Sequence, residues 1–206
     1  MSEFVCDAFW DGELSVWQPK KGEGYRFTLD PILLSGFIKP TDHLLELGAG
    51  CGILSLVLLA GKKVETVSLV EIQTDLFACL EKNMGENGFG EESNLIAGDF
   101  REQMLPRVSA VAFNPPFFPL HKSRAGSNAG RDIGRREHFG TLRDFVCTGV
   151  NALVPGGSLY VILRCERENE FLQYCKEFDL EPHRCRKIMS RLGAAPKHVL
   201  WHMLLA

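Results

Sequence analysis

Short apolar runs alternate with amphipathic stretches along most of the chain, and this pattern predicts an α/β fold. The apolar runs have the length and composition of buried strands, which we assign to residues 43–47, 67–71, 95–97, 110–113 and 158–163. The stretches between them have helical periodicity, and we assign helices to residues 53–61, 74–85, 139–153 and 168–178. Strands that alternate with helices in this way predict a mostly parallel sheet with helices on both faces.

The last part of the chain departs from this alternation. Two late apolar runs, 184–189 and 198–204, predict a C-terminal antiparallel hairpin that completes a seven-stranded sheet. Pro155-Gly156-Gly157 predicts a turn that stops the helix before it. Residues 119–134 are rich in Gly, Ser, Asn and Arg and show no period. We therefore expect a mobile, basic loop over residues 119–138 that contacts the substrate.

Composition narrows the class of protein. The chain has 206 residues, of which 45% are hydrophobic and 24% charged, and this predicts one domain over residues 1–206. The longest apolar stretch, residues 53–60, is far shorter than the roughly 20 residues of a membrane helix, and the N-terminus lacks a targeting signal. We expect a cytoplasmic protein without membrane contact. Seven cysteines without a C-x-x-C pair, and no histidine pair, predict reduced thiols and no metal site.

The net charge of −3 conceals an uneven distribution. Residues 1–100 carry 7 Lys and Arg against 16 Asp and Glu, whereas residues 101–206 carry 16 against 10. The basic residues of the second half fall mainly in residues 122–143 and 184–197. Such asymmetry favours a polyanionic partner, with a solvated basic face as the alternative.

A glycine-rich sequence joins the first of these strands to its helix. Gly48, Gly50 and Gly52 follow that strand and let the backbone approach a ligand closely. Their G-x-G-x-G spacing differs from the G-x-G-x-x-G of dinucleotide binding. Glu46 lies two residues before the loop, where a carboxylate disfavours a pyrophosphate and suits a cationic ligand such as the methionine ammonium of S-adenosylmethionine.

Two more acidic positions follow in register. Glu71 ends the second strand, where a carboxylate can accept both hydroxyls of a ribose. Asp99 and Phe100 follow the third strand, where they would contact the amino group and the ring of an adenine. We interpret the three features together as an S-adenosylmethionine site, with a dinucleotide or no cofactor as alternatives. In this order they resemble class I methyltransferases, which implies a Rossmann-like fold.

The most specific motif follows the fourth strand. In Asn114-Pro115-Pro116-Phe117 the two prolines fix φ and remove two backbone donors, so that the turn is rigid. The Asn114 amide oxygen and the Pro115 carbonyl can both accept hydrogen bonds from one NH₂ group, and Phe117 would stack on a planar base. The motif resembles the N-P-P-[FYW] of methyltransferases that act on adenine N6, guanine N2, cytosine N4 or a glutamine amide.

The N-terminal segment, residues 1–40, narrows the choice of acceptor. We expect Asp30, which with Thr28 precedes an apolar helical stretch, to cap that helix and the segment to cover the cofactor site. The segment resembles the start of the bacterial tRNA1(Val) adenine-37 N6-methyltransferase family. The basic loop and the sequence Pro196-Lys197-His198 also resemble that family. The resemblance implies that basic side chains touch RNA phosphates, namely Arg124, Arg131, Arg135, Arg136 and Lys197.

Adenine N6 in tRNA is therefore the leading acceptor. A guanine-N2 rRNA methyltransferase and a protein glutamine methyltransferase are alternatives, although the chain begins only about 40 residues before its first core strand and leaves little room for their accessory domains. A methyltransferase-like module that only binds a partner is a further alternative, which the intact motifs disfavour. No obligate protein partner is inferred, and the sequence does not indicate the oligomeric state.

Overall fold

The computed structural model describes residues 3–115 and 140–206 of the chain. Their helices and strands follow in this order: β1 (Phe4–Phe9), β2 (Leu14–Pro19), α1 (Asp30–Phe37), β3 (Thr41–Leu47), α2 (Ile53–Ala60), β4 (Val64–Glu71), α3 (Thr74–Glu86), β5 (Ser93–Ala97), β6 (Val108–Phe113), α4 (Leu142–Ala152), β7 (Leu153–Arg164), a 3-10 turn (Cys165–Arg167), α5 (Glu168–Glu177), β8 (Leu180–Ile188) and β9 (His198–Leu205).

The main sheet confirms the predicted fold class. Within the described ranges seven strands are ordered β5-β4-β3-β6-β7-β9-β8, and β9 runs antiparallel to both of its neighbours. The other pairings are parallel. Alternate side chains of one strand enter opposite layers: Leu44 packs in the core with α1, α2 and α3, whereas Leu45 packs in the core with α4 and α5. The sheet is therefore covered by helices on both faces.

An N-terminal hairpin was not predicted. Strands β1 and β2 pair antiparallel as a separate two-stranded sheet that packs on α3. Asn83 of α3 holds this hairpin, because its side chain accepts from Trp17 N at 2.6 Å and donates to Trp17 O at 2.9 Å. Its amide nitrogen also donates to the carbonyl of Cys51 at 2.7 Å. A single buried side chain thus joins the hairpin to the glycine loop.

Two local predictions were wrong. Helix α4 ends at Ala152, before the proline, and the Pro155-Gly156-Gly157 sequence lies inside β7, where the pairing with β6 shifts register. Residues 154–157 form a bulge within the strand, because β7 pairs with β6 on both sides of them, through Leu153 with Val108 and through Ser158 with Ala110. Asp30 is not the cap of α1: the cap position is Leu29, no side chain makes the cap hydrogen bond, and Asp30 lies in the first turn.

Candidate functional site

A pocket opens at the carboxyl ends of the central strands. The chain passes from β3 through β4 to β5 on one side and then returns to place β6 on the other side of β3. Open α/β sheets bind ligands at such a switch point. The pocket is lined at these strand ends by Glu46, Gly48, Gly50, Val70, Glu71, Gly98, Asn114 and Pro115, with Phe100 beside them.

Two of the three predicted glycines line the pocket. Gly48 and Gly50 have φ of 68° and 60°, a backbone conformation that L side chains rarely adopt. Gly52, which is the N-cap of α2, has a different role. A Cβ at Gly52 would lie 2.4 Å from Leu80 Cδ1 and 2.8 Å from Met84 Cε, so this glycine permits α3 to pack under the loop.

Glu46 lies at the pocket wall and is only 5% exposed. Ser55 Oγ donates to its Oε2 at 2.5 Å. Burial raises the pKa of Glu46 to about 8, against the opposing effect of the Ser55 hydrogen bond. A carboxylate in this environment is stabilised by a cationic ligand that replaces the lost hydration.

Glu71 also lines the pocket and takes part in the loop geometry. Its Oε2 accepts from Gly50 N at 2.7 Å and its Oε1 from Gln73 N at 2.8 Å. Burial raises the pKa of Glu71, and these backbone donors oppose the shift. Each carboxylate oxygen keeps a second lone pair that can accept a ligand hydroxyl.

Asn114 has an unsatisfied acceptor at the pocket. Its Oδ1 is buried and has no hydrogen-bond partner within the described parts of the chain. A buried polar atom without a partner costs roughly 1–3 kcal/mol, which a ligand that donates a hydrogen bond would recover. Pro115, the next residue in the sequence, also lines the pocket.

The charge of the pocket tests whether an adenosylmethionine-like ligand fits. Two carboxylates line it, and no Lys, Arg or His is found among its described lining residues. Such a pocket offers a phosphate no cationic partner, whereas a cationic ligand would ionise and pair with its carboxyl groups, which argues against the dinucleotide alternative. The aromatic side chains Phe100 and Phe145 add an apolar surface and lie with their ring centroids 4.5 Å apart. The residues present fit S-adenosylmethionine.

Residues before α1 and in its first turn line the pocket, and the sequence did not single them out. Tyr25, Phe27 and Pro31 line it, whereas Asp30 does not. Asp30 instead accepts from Thr28 Oγ1 at 2.7 Å, and its Oδ1 lies 3.7 Å from His198 Nε2. Two aromatic residues, at positions 25 and 27, interrupt a polar stretch of the sequence, and this pattern could have indicated that the segment contacts a ligand.

Asp99 and Phe100 are placed differently from each other. Phe100 lines the pocket and is 5% exposed. Asp99 is not among the lining residues; its carboxylate pairs with Arg101, which lowers the pKa of Asp99. An adenine contact by Asp99 stays a prediction.

The remaining predicted residues divide into two groups. Lys197 is exposed at the start of β9, and its amide donates to Ile188 O at 3.0 Å. The others lie outside the described residues, as does the predicted loop 119–138, and they are Pro116, Phe117, Arg124, Arg131, Arg135 and Arg136.

A comparison with known families decides the class. The sequence profile of the methyltransferase small domain matches residues 30–179. The chain belongs to the methyltransferase small domain family. Membership confirms the predicted methyl-transfer chemistry and S-adenosylmethionine as the cofactor. Among the described residues of this methyltransferase, no helix is long and apolar enough to cross a membrane.

Several relatives align with most of this methyltransferase, although the sequence identity is low. The tRNA1(Val) (adenine(37)-N6)-methyltransferase of Glaesserella parasuis is 23% identical over 83% of this chain and 73% of its own length. The enzyme of the same name from Porphyromonas gingivalis is 24% identical over 77% and 64%, so this chain spans less than two thirds of that relative. That of Flavobacterium johnsoniae is 26% identical over 86% and 75%.

Solved structures share the fold. The structure of TrmN from Thermus thermophilus superposes with a TM-score of 0.65 at 15% identity, over 90% of this methyltransferase and 52% of that chain. Geranyl diphosphate C-methyltransferase from Streptomyces coelicolor, solved with S-adenosyl-L-homocysteine, gives a TM-score of 0.62 at 12% identity, over 85% and 76%. These likenesses concern the fold alone.

Proposed function

We propose that this methyltransferase transfers a methyl group to an exocyclic amino group, the N6 of an adenine in tRNA. The observation that carries the proposal is the buried Asn114 Oδ1, an acceptor without a partner in the described residues, at the rim where β6 ends. An NH₂ group is the complementary donor, because it can supply hydrogens to Asn114 Oδ1 and to the neighbouring Pro115 carbonyl together.

The cofactor would be held by other residues of the same pocket. Glu46 would contact its ammonium group and Glu71 its ribose hydroxyls, while Gly48 and Gly50 leave room for its chain. When bound, S-adenosylmethionine supplies an electrophilic methyl group. Asn114 would orient the acceptor nitrogen so that its lone pair points to that methyl group, and positioning of this kind contributes much of the rate.

Adenine in tRNA is favoured over the other acceptors by two arguments. Relatives that cover most of this chain are named as adenine-37 N6-methyltransferases of tRNA1(Val). In addition, the predicted basic loop would suit an RNA backbone, and Phe117 would stack on an unpaired base. Arg124, Arg131, Arg135, Arg136 and Lys197 remain the proposed phosphate contacts, and a cytoplasmic location remains part of the proposal.

The test is a nucleoside assay. The enzyme and labelled S-adenosylmethionine are incubated in three separate reactions with unmodified tRNA, with unmodified rRNA and with a protein extract. Label in N6-methyladenosine from tRNA is the expected result. Label in N2-methylguanosine or in glutamine would assign one of the alternative acceptors. Transfer to none of the three pools would leave a binding module as the better description.

A further inference from the structure

Four cations from distant parts of the sequence gather at the C-terminal end of α1. Lys39 and Lys63 precede β3 and β4, and Arg184 and Arg186 lie on the edge strand β8. The guanidinium groups of the two arginines lie 4.0 and 5.6 Å from the centroid of the Phe37 ring. We refer to Lys39, Lys63, Arg184 and Arg186 as the α1 basic patch.

Two of these cations are anchored and two face solvent. Lys63 Nζ donates to the carbonyls of Ser35 at 2.8 Å and Ile38 at 3.0 Å, and Arg184 donates to the carbonyl of Phe37. These carbonyls end α1, where the helix dipole favours positive charge. Lys39 and Arg186 are exposed; Lys39 Nζ lies 3.3 Å from His183 Nε2, and its ammonium keeps further donors that can contact another group.

The positive charge of the patch is not neutralised by the described part of the protein. None of its four members forms an ion pair with a carboxylate of residues 3–115 or 140–206. Burial and the neighbouring Arg184 lower the pKa of Lys63. Burial also lowers the pKa of His202 to about 4, with smaller contributions from His183, Lys39 and Arg184. Burial is the larger cause of both shifts, and neighbouring positive groups add to it.

The patch is one short helix away from the pocket. Helix α1 begins at Asp30, next to the pocket-lining Pro31, and ends at Phe37 inside the patch. Eight helical residues span about 12 Å. Each strand of a duplex carries about one phosphate per 3.4 Å of helix axis, so that distance corresponds to the axial rise of roughly four nucleotides. A polynucleotide with one base in the pocket is long enough to reach the patch.

We propose that the α1 basic patch binds the phosphate backbone of the RNA substrate, outside the pocket. The inference rests on the proposed function, and it joins two arginines of the basic residues 184–197 to Lys39 and Lys63 in one contact surface. Lys39 and Arg186 supply the direct contacts, and the guanidinium of Arg186 suits the geometry of a phosphate. Lys63 and Arg184 fix the end of α1 and raise the local potential, which attracts RNA without reading its sequence.

The test compares two double variants of the full chain. Lys39→Gln/Arg186→Gln removes the exposed charges of the patch and leaves the cations that hold α1. Arg107→Gln/Lys176→Gln removes the same charge from exposed positions on the other face of the sheet, where Arg107 donates to Asn151 O at the end of α4 and Lys176 lies on α5. For each protein we would measure tRNA affinity between about 50 and 200 mM salt, together with KM and kcat for tRNA.

The patch variant should show a log K against log salt slope that is smaller by about 1.4 to 1.8, since two phosphate contacts are lost. Its KM for tRNA should rise while kcat and the Kd of S-adenosylhomocysteine stay at wild-type values. The control variant should keep the wild-type slope. Equal slopes and KM values for both variants would overturn the inference. Binding to anionic phosphatidylserine vesicles is measured as well, to distinguish RNA from a membrane surface. A patch variant that loses vesicle binding but keeps tRNA binding would also overturn the inference. If the wild-type enzyme methylates no tRNA, the proposed function itself fails.

Discussion

The backbone amide of Gly50 donates a 2.7 Å hydrogen bond to the buried carboxylate of Glu71. The bond joins the loop after β3 to the end of β4, so the acid proposed to bind ribose also fixes the loop that makes room for the cofactor. Gln73 N occupies the other oxygen at 2.8 Å. The two halves of the cofactor site are therefore one hydrogen-bonded unit, and changes in the loop should affect cofactor binding directly.

The glycines of this loop should respond differently to alanine. Gly50→Ala places a Cβ in open space at the pocket, whereas Gly52→Ala drives one into Leu80 and Met84. Both have positive φ and should lose about 1–2 kcal/mol of unfolding free energy from the backbone. Gly52→Ala should lose about a further 1–3 kcal/mol through overpacking. Urea unfolding measures this difference.

Cofactor affinity should rank the two glycine variants in the opposite order, because Gly50 lines the pocket and Gly52 does not. The Kd of S-adenosylhomocysteine should rise more in Gly50→Ala than in Gly52→Ala, under conditions where both variants are folded. Calorimetry supplies that measurement. Equal stability losses in the two variants would contradict the assignment of Gly52 to packing.

Glu46 should make cofactor binding depend on pH. Its pKa of about 8 means that the carboxyl is mostly protonated at pH 6–7 in the free enzyme, and a bound ammonium would ionise it. The affinity for S-adenosylhomocysteine should therefore rise by up to about tenfold from pH 6 to 7, a range in which the ligand α-amino group, with a pKa near 8, stays charged. Glu46→Gln should bind more weakly and lose this dependence.

Calorimetry in buffers of different ionisation enthalpy provides the control, because only the wild-type enzyme should release the extra proton.

The raised pKa of Glu46 also predicts how the free energy of unfolding changes with pH. A carboxyl whose pKa is raised in the folded state contributes stability below its unfolded pKa of 4.5 and loses it as the pH rises toward 8. The unfolding free energy of Glu46→Gln should thus vary less over that range. A parallel pH profile in both proteins would exclude Glu46 as the titrating group.

The sequence was sufficient for the parts of the fold that follow from local periodicity. The seven strands of the sheet, their helices and the acidic and glycine positions at the strand ends have patterns that span a few residues. The hairpin β1–β2 was not predicted, because it packs on α3 through a contact between Trp17 and Asn83, which are 66 positions apart in the sequence. The Asp30 cap was wrong because Leu29 takes the cap position.

The same distinction applies to the site. Glu46, Glu71 and Asn114 could be predicted because strand ends of a parallel sheet converge. The pairing of Asp99 with Arg101 is local, but the sequence does not distinguish it from a ligand contact, since one carboxylate can serve either a ligand or a neighbouring residue. The basic residues 184–197 are visible in the sequence, but the meeting of Arg184 with Lys39 and Lys63 around Phe37 could not be predicted, because it arises only where β8 contacts the end of α1.

Asn83 should support cofactor binding through the glycine loop. It bonds both Trp17 in the hairpin and Cys51 O in the loop, whereas Asn87 bonds only Ser15 in the hairpin and Asn83 O in its own helix. Each alanine variant leaves partly or fully buried backbone groups unpaired, which costs up to about 1–3 kcal/mol per group. Both should therefore lower the free energy of unfolding in urea.

Only Asn83→Ala should also raise the Kd of S-adenosylhomocysteine, because only Asn83 reaches a loop that lines the pocket. Asn87→Ala is the matched control, with the same residue type on the same helix. An equal Kd in the two variants would show that the loop holds its shape without Asn83.

Asn114 should behave as a residue kept for chemistry and not for stability. Its Oδ1 is buried with no partner in the described chain, so Asn114→Ala removes an unsatisfied acceptor and should leave the free energy of unfolding unchanged or higher. Methyl transfer should fall by about 100-fold or more, because the amino group loses its orientation, while S-adenosylhomocysteine binds as in the wild-type enzyme. Single-turnover transfer, urea unfolding and calorimetry on one preparation give the three values. A destabilised variant with normal turnover would make Asn114 a structural residue and remove the basis of the proposed acceptor site.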